Sequence, residues 1–99
     1  MTASGKTWRA IEALPDGAIY FIVPAHGETT AIRDLLRRQD RPPDALKLVP
    51  VTNDHDMMKH VRGRRGTPYA IDHAVYDTPI VPPEDRVALE LLIDAYLKP

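Results

Sequence analysis

Apolar residues recur along this chain in short groups whose spacing switches between two periods. Trp8, Ile11 and Leu14 stand at helical spacing within residues 6–14, and Leu14-Pro15-Asp16-Gly17 closes that segment with a turn. Ala18-Ile19-Tyr20-Phe21-Ile22-Val23 follows as an unbroken apolar run ended by Pro24, the pattern of a strand buried on both faces. From Gly27 to Gln39 the stripe Ala31, Ile32, Leu35 and Leu36 alternates with Arg33, Asp34, Arg37 and Arg38, which predicts an amphipathic helix stopped at Arg41-Pro42-Pro43-Asp44. Residues 45–51 predict a second strand. Asn53-Asp54-His55-Asp56 predicts an acidic helix start ahead of Met57, Met58 and Val61, stopped by Gly63. Tyr69-Ala70-Ile71-Asp72 predicts a third strand, and Pro82-Pro83-Glu84-Asp85 opens a last helix with proline and acids in its first turn.

Helices and strands therefore alternate from one end to the other. That order predicts one α/β domain over residues 1–99, with a parallel sheet of about three strands and helices on both faces. The last helix has a distinctive pattern: Arg86, Glu90, Asp94 and Lys98 recur every four residues, and nearly everything between them is apolar. A helix apolar over most of its circumference needs cover on several sides. Either neighbouring helices of the same chain supply it, or a second copy or another protein does, with Leu89 and Leu92 as contact residues.

Composition narrows the chemistry. At 99 residues, 43% hydrophobic, 27% charged and with a formal net charge of -1, the chain has no global attraction for nucleic acid or membranes, so any electrostatic partner must meet a local patch. It has no cysteine, which removes disulfides, thiolate metal sites and cysteine nucleophiles together. The ten prolines fall between the periodic segments and at the C-terminal residue, where they punctuate. No segment approaches the ~20 apolar residues that span a bilayer, and the first residues lack a signal-like apolar stretch. A cytoplasmic setting is expected.

The sharpest local motif is Ser4-Gly5-Lys6-Thr7 at the head of a helix, where backbone N–H groups and the helix dipole favour a phosphate. It is followed by Ile22-Val23-Pro24 at a strand end and, later, by Ala70-Ile71-Asp72-His73-Ala74. In that order the motifs over residues 4–75 resemble the first RecA-like domain of helicase-type and related P-loop NTPases. The resemblance implies that Gly5 is the last glycine of the phosphate loop, that Lys6 meets phosphate, and that Thr7 and Asp72 serve a magnesium ion. It also identifies departures. The motif's first glycine and the strand that launches the loop would fall ahead of Met1, and His73 stands where the family has the glutamate that orients the attacking water. The expectation is a degenerate, truncated P-loop-like fold without catalysis. No cofactor is expected of such a remnant, and ATP with magnesium is the only one the resemblance suggests.

Lys59, His60, Arg62, Arg64 and Arg65 gather around Gly63, either as a solvated turn offsetting Asp54, Asp56 and Asp72 or as a contact surface for phosphates or an acidic protein, with nucleic acid the less favoured partner of a chain that is not basic overall. No aromatic residue interleaves with them, which argues against a stacking platform for single strands. His55 and His60 are five apart, off the four-residue spacing that aims two ligands at one metal, and no metal site is expected. Ser4 lacks the strand-turn-helix context of a hydrolase nucleophile. Two function classes follow. The chain is a non-enzymatic interaction module, of the kind a bacterium or bacteriophage uses as an accessory or inhibitor, binding another protein or a second copy through Lys59, Arg62, Arg64, Arg65, Leu89 and Leu92. Alternatively it binds nucleotide or phosphate through Gly5, Lys6, Thr7 and Asp72 in a site completed by another chain.

Overall fold

A computed structural model describes residues 3–52, 55–77 and 82–99, leaving aside the side chains at 3, 4, 55 and 56. Three parallel strands form its sheet: β1 (Ile19–Ile22), β2 (Lys47–Pro50) and β3 (Tyr69–Ile71), in the order β2-β1-β3. β1 is central and all four of its residues are buried, as the unbroken apolar run from Ala18 requires. Its register sets Phe21 beside Val49 and Ile71, and Tyr20 beside Leu48 and Ala70.

Alternation along the strands divides the interior into two cores. Ala18, Tyr20 and Ile22 face α1 (Ala3–Glu12) and α2 (Glu28–Arg38), which contribute Ile11, Ile32 and Leu36. Ile19, Phe21 and Val23 face the opposite way, toward Met57, Met58 and Val61 and toward Leu89, Ile93 and Leu97 of the last helix, Arg86–Leu97. Phe21 meets Tyr69 edge-to-face, with ring centroids 5.9 Å apart. Each fully buried aromatic or branched side chain stabilises the fold by about 1.5–3 kcal/mol, so the chain's stability rests mainly on β1 and what packs over its two faces.

α2 matches the predicted amphipathic segment. It starts after Gly27, whose φ of 83° is left-handed, and it ends where Arg41 turns back. Arg41 donates to the Ile11 and Leu14 carbonyls at 2.7 and 2.8 Å and pairs with Asp16 at 2.8 Å, so it ties the end of α1 to the turn before β1.

Two predicted elements differ in form. The segment around Met57 and Met58 is a 3₁₀ turn (His55–His60) rather than an α-helix, with both methionines buried. The acidic start expected there lies outside the described residues at Asn53 and Asp54. A short helix, α3 (His73–Asp77), follows β3 directly; five residues are too few to show a period in the sequence. The last helix, α4 (Arg86–Leu97), is preceded by a 3₁₀ turn (Pro83–Asp85), as its proline and acids suggest. No described helix is long and apolar enough to cross a membrane.

Candidate functional sites

At the carboxyl end of β3, Asp72 is only 1% exposed. One of its oxygens, Oδ1, accepts from the Thr7 hydroxyl of α1 at 3.0 Å and from the Tyr20 hydroxyl of β1 at 2.5 Å. The Asp72 backbone N–H donates to the Phe21 carbonyl at 2.8 Å, which fixes the residue where β3 ends. Three elements therefore meet on one carboxylate. Burial, followed by the hydrogen bond to Asp72 and its charge, pushes the Tyr20 hydroxyl far above the usual phenol range, so it remains a proton donor at all ordinary pH values.

Thr7 and Asp72, 65 residues apart in sequence, are thus brought together, and Tyr20 joins them. In the sequence Tyr20 stands out only as part of an apolar run. The signal for its second role is chemical: a buried tyrosine needs a partner for its hydroxyl.

A cavity of about 200 Å³ opens beside this cluster, lined by Thr7, Glu28, Ala31, Leu35, Asp72 and His73 among others. It is smaller than the roughly 300 Å³ at which small-molecule pockets begin. Glu28, in the first turn of α2, carries no motif in the sequence; burial and the Asp72 charge raise its carboxyl above the usual range, against an opposing effect of His73. His73 Nδ1 lies 3.0 Å from Asp77 within α3, and this contact holds the Asp77 carboxyl below the usual range. Gly5 and Lys6 lie in the first turns of α1, with Gly5 half-buried and Lys6 exposed. Ser4 belongs to the same helix, but its side chain is outside the described set, as are those of His55 and Asp56.

α4 covers part of its apolar surface within the chain and leaves part uncovered. Arg86 and Asp94 of its polar stripe are half-buried while Glu90 and Lys98 are exposed, and the first three of the four contact the tyrosines of β3 and α3. Asp94 accepts from the Tyr69 hydroxyl at 2.5 Å and Glu90 from the Tyr76 hydroxyl at 2.7 Å. Arg86 donates to the Tyr76 carbonyl and lies 5.2 Å from the centre of its ring. Burial and these carboxylates push the Tyr69 hydroxyl up to about 12 and raise that of Tyr76 further.

The neighbouring outward row of the helix carries Val87 and Leu91, 65% and 63% exposed, with Ala88 and Ala95 exposed beside them. Leu89 is buried in the core and Leu92 is partly buried against it. Leu89 and Leu92, expected from the sequence as contact residues, therefore pack within the chain. The helix is phased by Leu89, Ile93 and Leu97, and this leaves Val87 and Leu91 outside.

The basic segment divides in the same way. Lys59, Arg62 and Arg64 are exposed, and Arg64 shares a concavity with Arg33 and Lys47 at the β2 side of the sheet. Arg65 turns back onto the chain instead, donating to the carbonyls of Ala95 and Lys98 at 2.9 and 2.8 Å, and the Gly66 N–H donates to that of Leu97. Together they satisfy three carbonyls at the end of α4, those of Ala95, Leu97 and Lys98, and Arg65 opposes its dipole.

Comparison with known proteins adds no assignment to this geometry: no family model matches the sequence, and neither a curated protein nor a solved structure is detectably similar to it.

Proposed function

We propose that this chain is a non-enzymatic protein-interaction module whose contact surface is the outer face of α4. The observation that carries the reading is the phase of that helix. Leu89, Ile93 and Leu97 are buried and Asp94 and Glu90 accept from Tyr69 and Tyr76, while Val87 and Leu91 stand in water at 65% and 63% exposure. Large apolar side chains stacked one helical turn apart, with exposed alanines beside them, form an interface patch when a partner excludes water from them. Exposed Lys59, Arg62 and Arg64 add local positive charge, which acts on encounter rate and salt dependence.

The test is site-specific photo-cross-linking from position 91 in the native host, with sedimentation of the purified chain to separate self-association from a foreign partner. The reading expects a discrete adduct that is lost when Val87→Glu is added. A chain that forms no adduct from position 91, and stays monomeric at every concentration, contradicts it.

A second reading is favoured by one specific observation, the 3.0 Å contact between Thr7 and Asp72. The resemblance to P-loop NTPases pairs these two positions at a magnesium ion, with Lys6 beside them for a phosphate. In this reading the chain holds nucleotide without hydrolysing it, in a site completed by another chain. Magnesium-ATP would then raise the melting temperature, Lys6→Ala would abolish the rise, and phosphate release would stay at background. An unchanged melting temperature at millimolar nucleotide removes this reading.

A further inference from the structure

The two open edges of the sheet differ in a way that bears on what the module binds. In a parallel ladder, each residue directs its backbone N–H and C=O to the same side, and successive residues alternate sides. The Lys47 N–H donates to the Ala18 carbonyl and the Val51 N–H to that of Ile22, so residues 47, 49 and 51 face β1, and Leu48 and Pro50 face outward. Pro50 has no N–H. With Lys47 in the same short strand, the β2 edge is blunted against further pairing.

On the other side, the Ile19 N–H donates to the Pro68 carbonyl and the Asp72 N–H to that of Phe21, so residues 68, 70 and 72 face β1. Tyr69 and Ile71 then present complete backbone donors and acceptors outward, and among the described residues nothing bonds to them. β3 carries neither a charge nor a proline, and all three of its residues are only half-buried. An edge of this kind is a template for another strand.

A groove follows this edge. Two concavities of about 350 and 370 Å³ share Tyr69 and Asp94; the first is also lined by Ile71, Tyr76 and Glu90, and the second runs on past Pro68 to Lys98. We propose that this groove receives an extended segment of another polypeptide, added to β3 as a fourth strand, with a lysine or arginine opposite Glu90 and Asp94. The proposal rests on the interaction reading above and specifies the partner's form. Main-chain bonding to Tyr69 and Ile71 supplies affinity, and the two carboxylates supply selectivity. Arg86 is committed to Tyr76, and Lys98 lies at the far end, so the middle of the groove is acidic. Two copies of this chain meeting edge to edge would oppose their own Glu90 and Asp94, which disfavours a symmetric dimer here. At helical spacing, Val87 and Leu91 form the row next to Glu90 and Asp94, so a docked segment could continue onto the apolar patch.

The experiment is amide hydrogen exchange on the whole chain, read by NMR. The probe is a short peptide of alternating valine and lysine, set against its valine–glutamate counterpart. The lysine peptide is expected to slow exchange at Tyr69 and Ile71 by roughly tenfold or more, and the glutamate peptide to leave it unchanged. Ile71→Pro removes an outward donor without touching the ladder to β1, and should abolish the protection. Glu90→Lys, away from the strand, leaves Asp94 as the one carboxylate facing a new lysine and should cancel the preference between the peptides. Exchange at Tyr69 and Ile71 that is unchanged at saturating peptide, or equal with both peptides, overturns the proposal. Cross-linking through Leu91 with no protection at β3 overturns it too while leaving the interaction reading intact; failure at both sites removes both.

Discussion

The cluster around Asp72 and the outer face of α4 are opposite cases of the same accounting for water. Asp72, Thr7 and Tyr20 have the residue types of a reactive or metal-binding site, yet they satisfy one another at 3.0 and 2.5 Å inside the fold. Val87 and Leu91 have the residue types of a core, yet they stand exposed. What residues can do depends on what the fold leaves unmet. A carboxylate already holding two hydroxyls acts first as a brace between α1, β1 and β3, whereas an apolar row without cover gains free energy from any partner that removes it from water.

The sharpest way to break this contrast is Asp72→Ala. It removes the carboxylate acceptor shared by the buried Thr7 and Tyr20 hydroxyls, at about 1–3 kcal/mol for each bond lost, a large part of the ~5–10 kcal/mol that holds a domain of this size. Denaturant melts should show a loss of about 2–5 kcal/mol, much of it regained in Asp72→Asn, which keeps an acceptor. A loss below about 0.5 kcal/mol would mean that Asp72 is no brace.

Next in size is the alkaline limit. Tyr20, Tyr69 and Tyr76 all have raised hydroxyl pKa values in the fold. Below the unfolded value of about 10 both states keep these protons and stability is unaffected; above it the unfolded chain ionises first. Stability should therefore fall as pH rises past about 10, with a slope near 1.4 kcal/mol per pH unit for the fully buried Tyr20 alone. Tyr20→Phe should reduce that slope by about one proton, measured by melts between roughly pH 9 and pH 11. A slope identical in the variant contradicts the burial of this hydroxyl.

Arg65→Ala should cost about 1 kcal/mol, because the carbonyls of Ala95 and Lys98 lose their donor at the end of α4. Arg64→Ala should leave stability within about 0.5 kcal/mol, since that side chain is exposed. The two neighbours thus separate a structural arginine from a surface one by a melting experiment.

Much of the fold is legible in the sequence because burial imposes period and continuity. The run from Ala18 to Val23 fits only a central strand, and the stripe at Ile32 and Leu36 fits only a face turned to the sheet. The Thr7–Asp72 contact has no periodic signal, since 65 residues separate the two side chains. The phase of α4 is not legible: with so many apolar residues, nothing local distinguishes Leu89, which is buried, from Leu91, which is not. That choice depends on distant residues: Leu89, Ile93 and Leu97 pack onto the core around Phe21, and Tyr69 and Tyr76 bond Asp94 and Glu90 beside them, which leaves Leu91 outside. Arg65 escapes a sequence reading for a similar reason. Its carbonyl partners lie 30 and 33 residues away, where no local pattern reaches.

The central claim is that chemistry is held internally at Asp72 while binding faces outward at α4. The most direct measurement places a photo-cross-linking side chain at Leu91 in one protein and at Lys6 in another, and compares adducts formed in the native host. The account predicts a discrete protein adduct from position 91 that disappears with Val87→Glu, while the variant's melting stability stays within about 0.5 kcal/mol. An adduct that arises from position 6 alone and responds to magnesium-ATP would contradict it, and would place the working surface at the end of the strands.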